Sequence, residues 1–111
     1  MRDTESFVAP KLGVGMVFSA ALRPFLQRRS DTIDVLEIEP QTMWLADDAL
    51  RGPFFEFAPG IEAVAALPGR KLVHSVGVPL GGTRPPNDEQ LRLLARTAER
   101  LNSPWVSEHL S

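Results

Sequence analysis

The chain has no cysteine among its 111 residues. That excludes a disulfide scaffold, a thiolate metal site and a cysteine nucleophile, and it agrees with an expected cytoplasmic location. Histidine is scarce, with only two, His74 and His109. No window approaches the roughly 18 apolar residues of a membrane span, so no membrane partner is expected. Asp3 and Glu5 precede any apolar segment, which argues against a secretory signal. Basic runs are lacking too. Arg28-Arg29 is the only basic cluster and the net charge is −2, so nothing marks a nucleic-acid surface. Internal repeats and low-complexity tracts are absent. The length bounds the chain to a single domain at most.

What remains is 43% hydrophobic and 23% charged, ordinary for a globular chain. Residues 1–10 read as a polar lead-in, and the folded region as 11–111. The ten prolines punctuate it. The first strand is expected at Lys11–Val17, with Gly13 and Gly15 on one face. Alternate glycines in a strand mark close approach of a backbone or a ligand. Gly13-Val14-Gly15 lacks the third glycine and the helix start of a dinucleotide-binding fingerprint. Arg23-Pro24 opens a short helix, because proline suits the first helical turn.

The second strand spans Thr32–Pro40. Alternation puts Leu36 and Ile38 on one face and Val35, Glu37 and Glu39 on the other. The two carboxylates are either solvated or pocket-lining. Gln41 to Pro59 reads as a long irregular segment, with Trp44 and Phe54-Phe55-Glu56-Phe57 covering an edge of the core. Ile61–Leu67 is a helical piece closed by Pro68-Gly69. Lys71–Val76 is the third strand and carries His74. The glycine-rich run Gly77–Gly82 follows it.

Asn87 with Gln90 three residues on is a capping-box signature. It starts a helix whose apolar stripe is Leu91, Leu94, Ala98 and Leu101. Asn102-Ser103-Pro104 ends that helix, and Trp105–Glu108 is the fourth strand. The order β-α-β-α-β-α-β predicts an α/β fold with parallel strands. A Rossmann-type sheet and a (β/α)8 barrel both fit, and in both the chemistry gathers at C-terminal strand ends. Glu37, Glu39, His74, Glu108 and His109 all lie there. A lone histidine is usually a packed one, but several polar residues at equivalent strand ends are a stronger signal.

Several segments resemble one family. They are Leu12–Met16, Leu22-Arg23-Pro24, Leu36-Glu37-Ile38, Val73–Gly81 and above all Val106-Ser107-Glu108-His109-Leu110-Ser111. Together they resemble the multinuclear non-heme iron-dependent oxidative enzymes (MNIO), which are xylose-isomerase-like TIM barrels. The resemblance implies the N-terminal half of a (β/α)8 barrel, about four parallel strands with crossover helices. It also implies an oxidoreductase that uses iron and dioxygen to modify a ribosomally made peptide, often at cysteine.

On this resemblance His74 and His109 match iron ligands, in a complete barrel that holds two or three iron ions. Imidazole suits iron, provided positions stay open for dioxygen and substrate. Glu108 matches the motif glutamate and is assigned a catalytic pocket role, orienting a ligand or ligating directly. Glu108 and His109 can both face the site only if the strand ends between them. Glu37 matches a strand-two glutamate and, with Glu39, is assigned to substrate binding. The expected partners are a precursor peptide and a protein that presents it.

The chain departs from the family in two ways. Pro40–Trp44 replaces a Glu-Asn-Tyr-like run. A full barrel needs about 250 residues, so the chain is expected to be a partial barrel of a parent enzyme and inactive alone. Two other readings stay open: another metal-dependent barrel enzyme of the same fold, or a non-catalytic half-barrel that binds a partner.

Overall fold

A computed structural model describes residues 7–29, 31–48, 51–77, 81–83, 85 and 87–110. Most of the lead-in, Val78–Leu80 of the glycine-rich run and Ser111 of the terminal motif fall outside them. The elements, in order, are β1 (Gly15–Val17), a 3-10 turn (Ala20–Leu22), α1 (Arg23–Arg28) and β2 (Val35–Ile38). A second 3-10 turn (Pro40–Met43), β3 (Trp44–Ala46) and β4 (Phe54–Glu56) follow. Then come α2 (Ala58–Ala65), β5 (Arg70–Ser75), α3 (Asp88–Arg100) and β6 (Val106–Glu108).

One parallel sheet holds four strands in the order β1-β2-β5-β6. That order decides between the two folds the sequence left open. A Rossmann sheet reverses direction at a switch point and carries helices on both faces. Here each parallel strand lies beside the one before it, and α1, α2 and α3 all pack on the same face. This is how half of a (β/α)8 barrel is built. Among the described residues no helix is long and apolar enough to cross a membrane.

The core lies between that face and the helices. Leu36, Ile38 and Val73 from the sheet pack with Leu26 of α1, Ile61 and Val64 of α2, and Leu94 and Ala98 of α3. Alternation along the strands puts Glu37, Leu72, His74 and Ser107 on the opposite face, where each is half-buried. Among the described residues no helix covers that face.

Gly13, just before β1, and Gly15, its first residue, have a structural cause. A Cβ on Gly13 would strike the Asp34 carboxylate, and one on Gly15 the backbone of Val35. Gly13 also adopts φ 96°, which favours glycine. Asp34 uses the space, accepting the N–H of Val14 at 3.0 Å. The glycines thus serve close approach of β1 to β2.

α3 begins and ends as the sequence predicts. Asn87 Oδ1 accepts the N–H of Glu89 and of Gln90, at 2.8 and 3.1 Å. At the other end Asn102 takes φ 54°. Its N–H reaches Glu99 O and that of Ser103 reaches Ala98 O, the two bonds of a Schellman motif. Ser103 then joins the helix end to the sheet, accepting Val73 N–H at 2.9 Å and donating to Trp105 O at 2.6 Å.

Two sequence expectations need correction. The buried side of α3 is Leu93, Leu94, Thr97, Ala98 and then Leu101, while Leu91 is 39% exposed. At 100° per residue Leu91 lies about 90° from the centre of that arc. The segment 41–59 is also less irregular than expected, since β3 and β4 pair antiparallel within it.

That hairpin explains the buried polar residue on α3. Trp44 Nε1 donates to Thr97 Oγ1 at 3.2 Å, and Thr97 Oγ1 donates to Glu56 Oε2 at 3.2 Å. Arg96 and Arg100 pair with the same carboxylate at 3.3 and 3.6 Å. Phe54 N–H adds a bond to Glu89 Oε1 at 2.8 Å. The outer side of the hairpin leaves Leu45 and Phe55 exposed.

At the start of β5, Lys71 is buried on the helix-covered face. Its Nζ donates to the carbonyls of Leu67 and, at 2.7 Å, Gly69, just past the C-terminal end of α2. Burial lowers its pKa from 10.5. The folded state then binds fewer protons than the unfolded state between the lowered pKa and 10.5. Stability from this group therefore rises with pH across that window and levels off above it. Urea unfolding from pH 7 to pH 10 is expected to show this rise. It should be missing in Lys71→Met; equal slopes in the two proteins would contradict it.

Candidate metal centre

The two histidines meet. His74 sits one residue before the end of β5, and Ser107 is its neighbour in register on β6. Its Nδ1 lies 2.7 Å from Ser107 Oγ. β6 ends at Glu108. Alternation puts Glu108 on the other side from Ser107 and His109 on the same side, so the two do not both face the site, and His109 faces His74. Its Nε2 comes to 2.9 Å from His74 Nε2. The ring centroids are 4.9 Å apart and the planes are tilted by 41°.

Glu108 stands opposite Ser75 in register, on the other side of the strand from Ser107. Its Oε1 accepts the backbone N–H of His109 at 2.7 Å. The carboxylate thus ties down the turn that carries the second imidazole.

Glu37 and Glu39, paired in the sequence reading, separate. Glu37 is on the open face, in register with Leu72. Glu39 lies beyond the end of β2, and its carbonyl accepts the N–H and the hydroxyl of Thr42. It lines a cavity of about 450 Å³ with Phe18, Arg23, Met43 and Val64. β2 stops at Ile38, so strand alternation does not extend to Glu39. Another sizeable cavity, about 550 Å³, lies around Arg70, Lys71 and Asn102, at the opposite end of β5 from His74.

Sequence reasoning missed Gln41. Its Nε2 donates to Ser75 Oγ at 2.7 Å, and its Oε1 accepts Val76 N–H at 3.2 Å. It clips the connection after β2 to the end of β5, beside His74. Its place in the Pro40–Trp44 run was the available signal.

The donor set can be tested for fit to a metal. Two imidazole nitrogens each about 2.0–2.1 Å from one ion, at a right angle, would stand about 2.9 Å apart. The observed 2.9 Å agrees with that and equally with a direct N–H···N hydrogen bond between the two rings. The far nitrogen of a metal-bound histidine usually meets a carboxylate, a backbone carbonyl or water; at His74 it meets the Ser107 hydroxyl. Among the described residues no group of three or more His, Cys, Asp or Glu side chains is placed to hold an ion. The two histidines do not by themselves make up such a group.

Fold and site together define a class: a half (β/α)8 barrel with paired imidazoles at the C-terminal ends of adjacent strands. The chain belongs to the family described as RiPP precursor modification enzyme MbnB/TglH/ChrH, whose sequence model matches residues 12–111. Enzymes of this family act on ribosomally made precursor peptides, so the substrate class is a peptide. No curated protein and no solved structure matches the chain.

Proposed function

We propose that this chain supplies part of the metal centre of an iron-dependent oxidative enzyme that modifies a ribosomally made peptide, often at cysteine. The observation that carries this reading is the approach of His74 Nε2 to His109 Nε2, at 2.9 Å, in a chain of this family. His74 and His109 would hold iron, which when bound activates dioxygen.

The chain's own residues do the rest. Ser107 contacts the far nitrogen of His74, and Glu108 fixes the backbone of His109. Gln41 anchors the end of β5. Glu37, on the open face, and Glu39, in its separate cavity, are assigned to peptide binding. Residues 11–111 act as one partial barrel behind the lead-in 1–10, in the cytoplasm. A partner protein presents the peptide.

Two imidazoles are too few for two or three iron ions. Among the described residues β1 and β6 also leave unpaired strand edges, and no helix covers the open sheet face. Further strands with further ligands complete the barrel in this reading, and the chain alone does not turn over.

Elemental analysis tests it. The full chain, purified without oxygen and offered Fe(II), is expected to retain iron. A folded chain that takes up none would contradict the reading. A metal-free, folded dimer would favour a non-catalytic half-barrel instead.

A further inference from the structure

We propose that Ser107 is a positioning residue for metal binding, setting the tautomer of His74. The inference rests on the reading of His74 and His109 as ligands. A neutral imidazole carries its one proton on either nitrogen, and the bond made by one nitrogen decides what the other can do. Ser107 Oγ lies 2.7 Å from Nδ1, a contact that either tautomer can make. In this proposal the proton is on Nδ1, and the hydroxyl oxygen accepts it. The lone pair is then on Nε2, the atom that faces His109.

The placement is built into the sheet. His74 and Ser107 are direct neighbours of a parallel pair, so both side chains leave on the open face. Ser107 is half-buried, and β5 is held on both sides by β2 and β6. The hydroxyl therefore meets the ring as a fixed feature of strand register. Glu108 acts on the other ligand, through the His109 backbone. The three residues of the Ser107-Glu108-His109 run thus divide the work. Ser107 sets one ring, Glu108 ties the turn, and His109 supplies the second ring.

The test uses the full chain under nitrogen with Fe(II) as the probe. Ser107→Ala is expected to bind Fe(II) about 10- to 100-fold more weakly, the usual loss with an outer-shell partner. Ser107→Thr keeps the hydroxyl and suits a strand, so it should stay close to the parent. In the metal-free chain, nitrogen NMR of His74 should report a proton on Nδ1, and Ser107→Ala should lose that preference. A merely structural serine would change the melting temperature and leave the tautomer alone. Unchanged iron affinity in Ser107→Ala, with affinity lost in His74→Ala, would overturn the inference and spare the ligand assignment. Unchanged affinity in both variants would overturn the ligand assignment, and the inference with it.

Discussion

His74→Ala and His109→Ala are each expected to weaken Fe(II) binding by at least about 100-fold, the upper end of what loss of a supporting residue costs. The double variant should be little worse than either single one. A pair of ligands acts as a unit, and once one is gone the other contributes only a weak contact, so the effects do not add. Competition against a chromogenic chelator under nitrogen reads all three affinities. Folding should be spared, since His109 is exposed and His74 half-buried on the uncovered face. Small, additive losses would place the iron elsewhere on the chain.

The second large effect concerns Glu56. Its side chain is only 6% exposed and is held by Arg96, Arg100 and Thr97. Arg96→Ala with Arg100→Ala leaves the carboxylate buried beside a hydroxyl alone. Removing the partner of a fully buried charge costs about 3–5 kcal/mol, an upper bound here because the Arg96 and Arg100 side chains are 71% and 34% exposed. That is a large share of the roughly 5–15 kcal/mol that stabilises an ordinary domain. Urea unfolding reads the loss. Adding Glu56→Gln to the double variant removes the stranded charge and should recover part of it. If the double variant unfolds at the parent's urea concentration, the hairpin is not anchored through Glu56.

Much of the fold was legible because local signals agreed with it. Asn87 and Asn102 marked both ends of α3, and Gly13 and Gly15 marked the close pairing of β1. The β3–β4 hairpin was not legible. Its strands are three residues each, too short for a period. Its anchor is Glu56 meeting Arg96, Thr97 and Arg100 from far along the chain. The same contact hid Thr97, a polar residue inside an apolar stripe.

At the site, the equivalence of His74 and His109 could be read from their strand ends. Which neighbours they meet could not, because that depends on register between β5 and β6. Ser107 emerged as the partner of His74 only from that register. Alternation predicts a face only while the strand lasts, and β2 ends at Ile38, one residue before Glu39.

X-ray absorption at the iron edge of the Fe(II)-loaded chain addresses the central claim most directly. The account predicts scattering from two imidazole rings bound to one iron, reduced to a single ring in His109→Ala. Iron with no imidazole scattering, or a spectrum unchanged by that substitution, would contradict it.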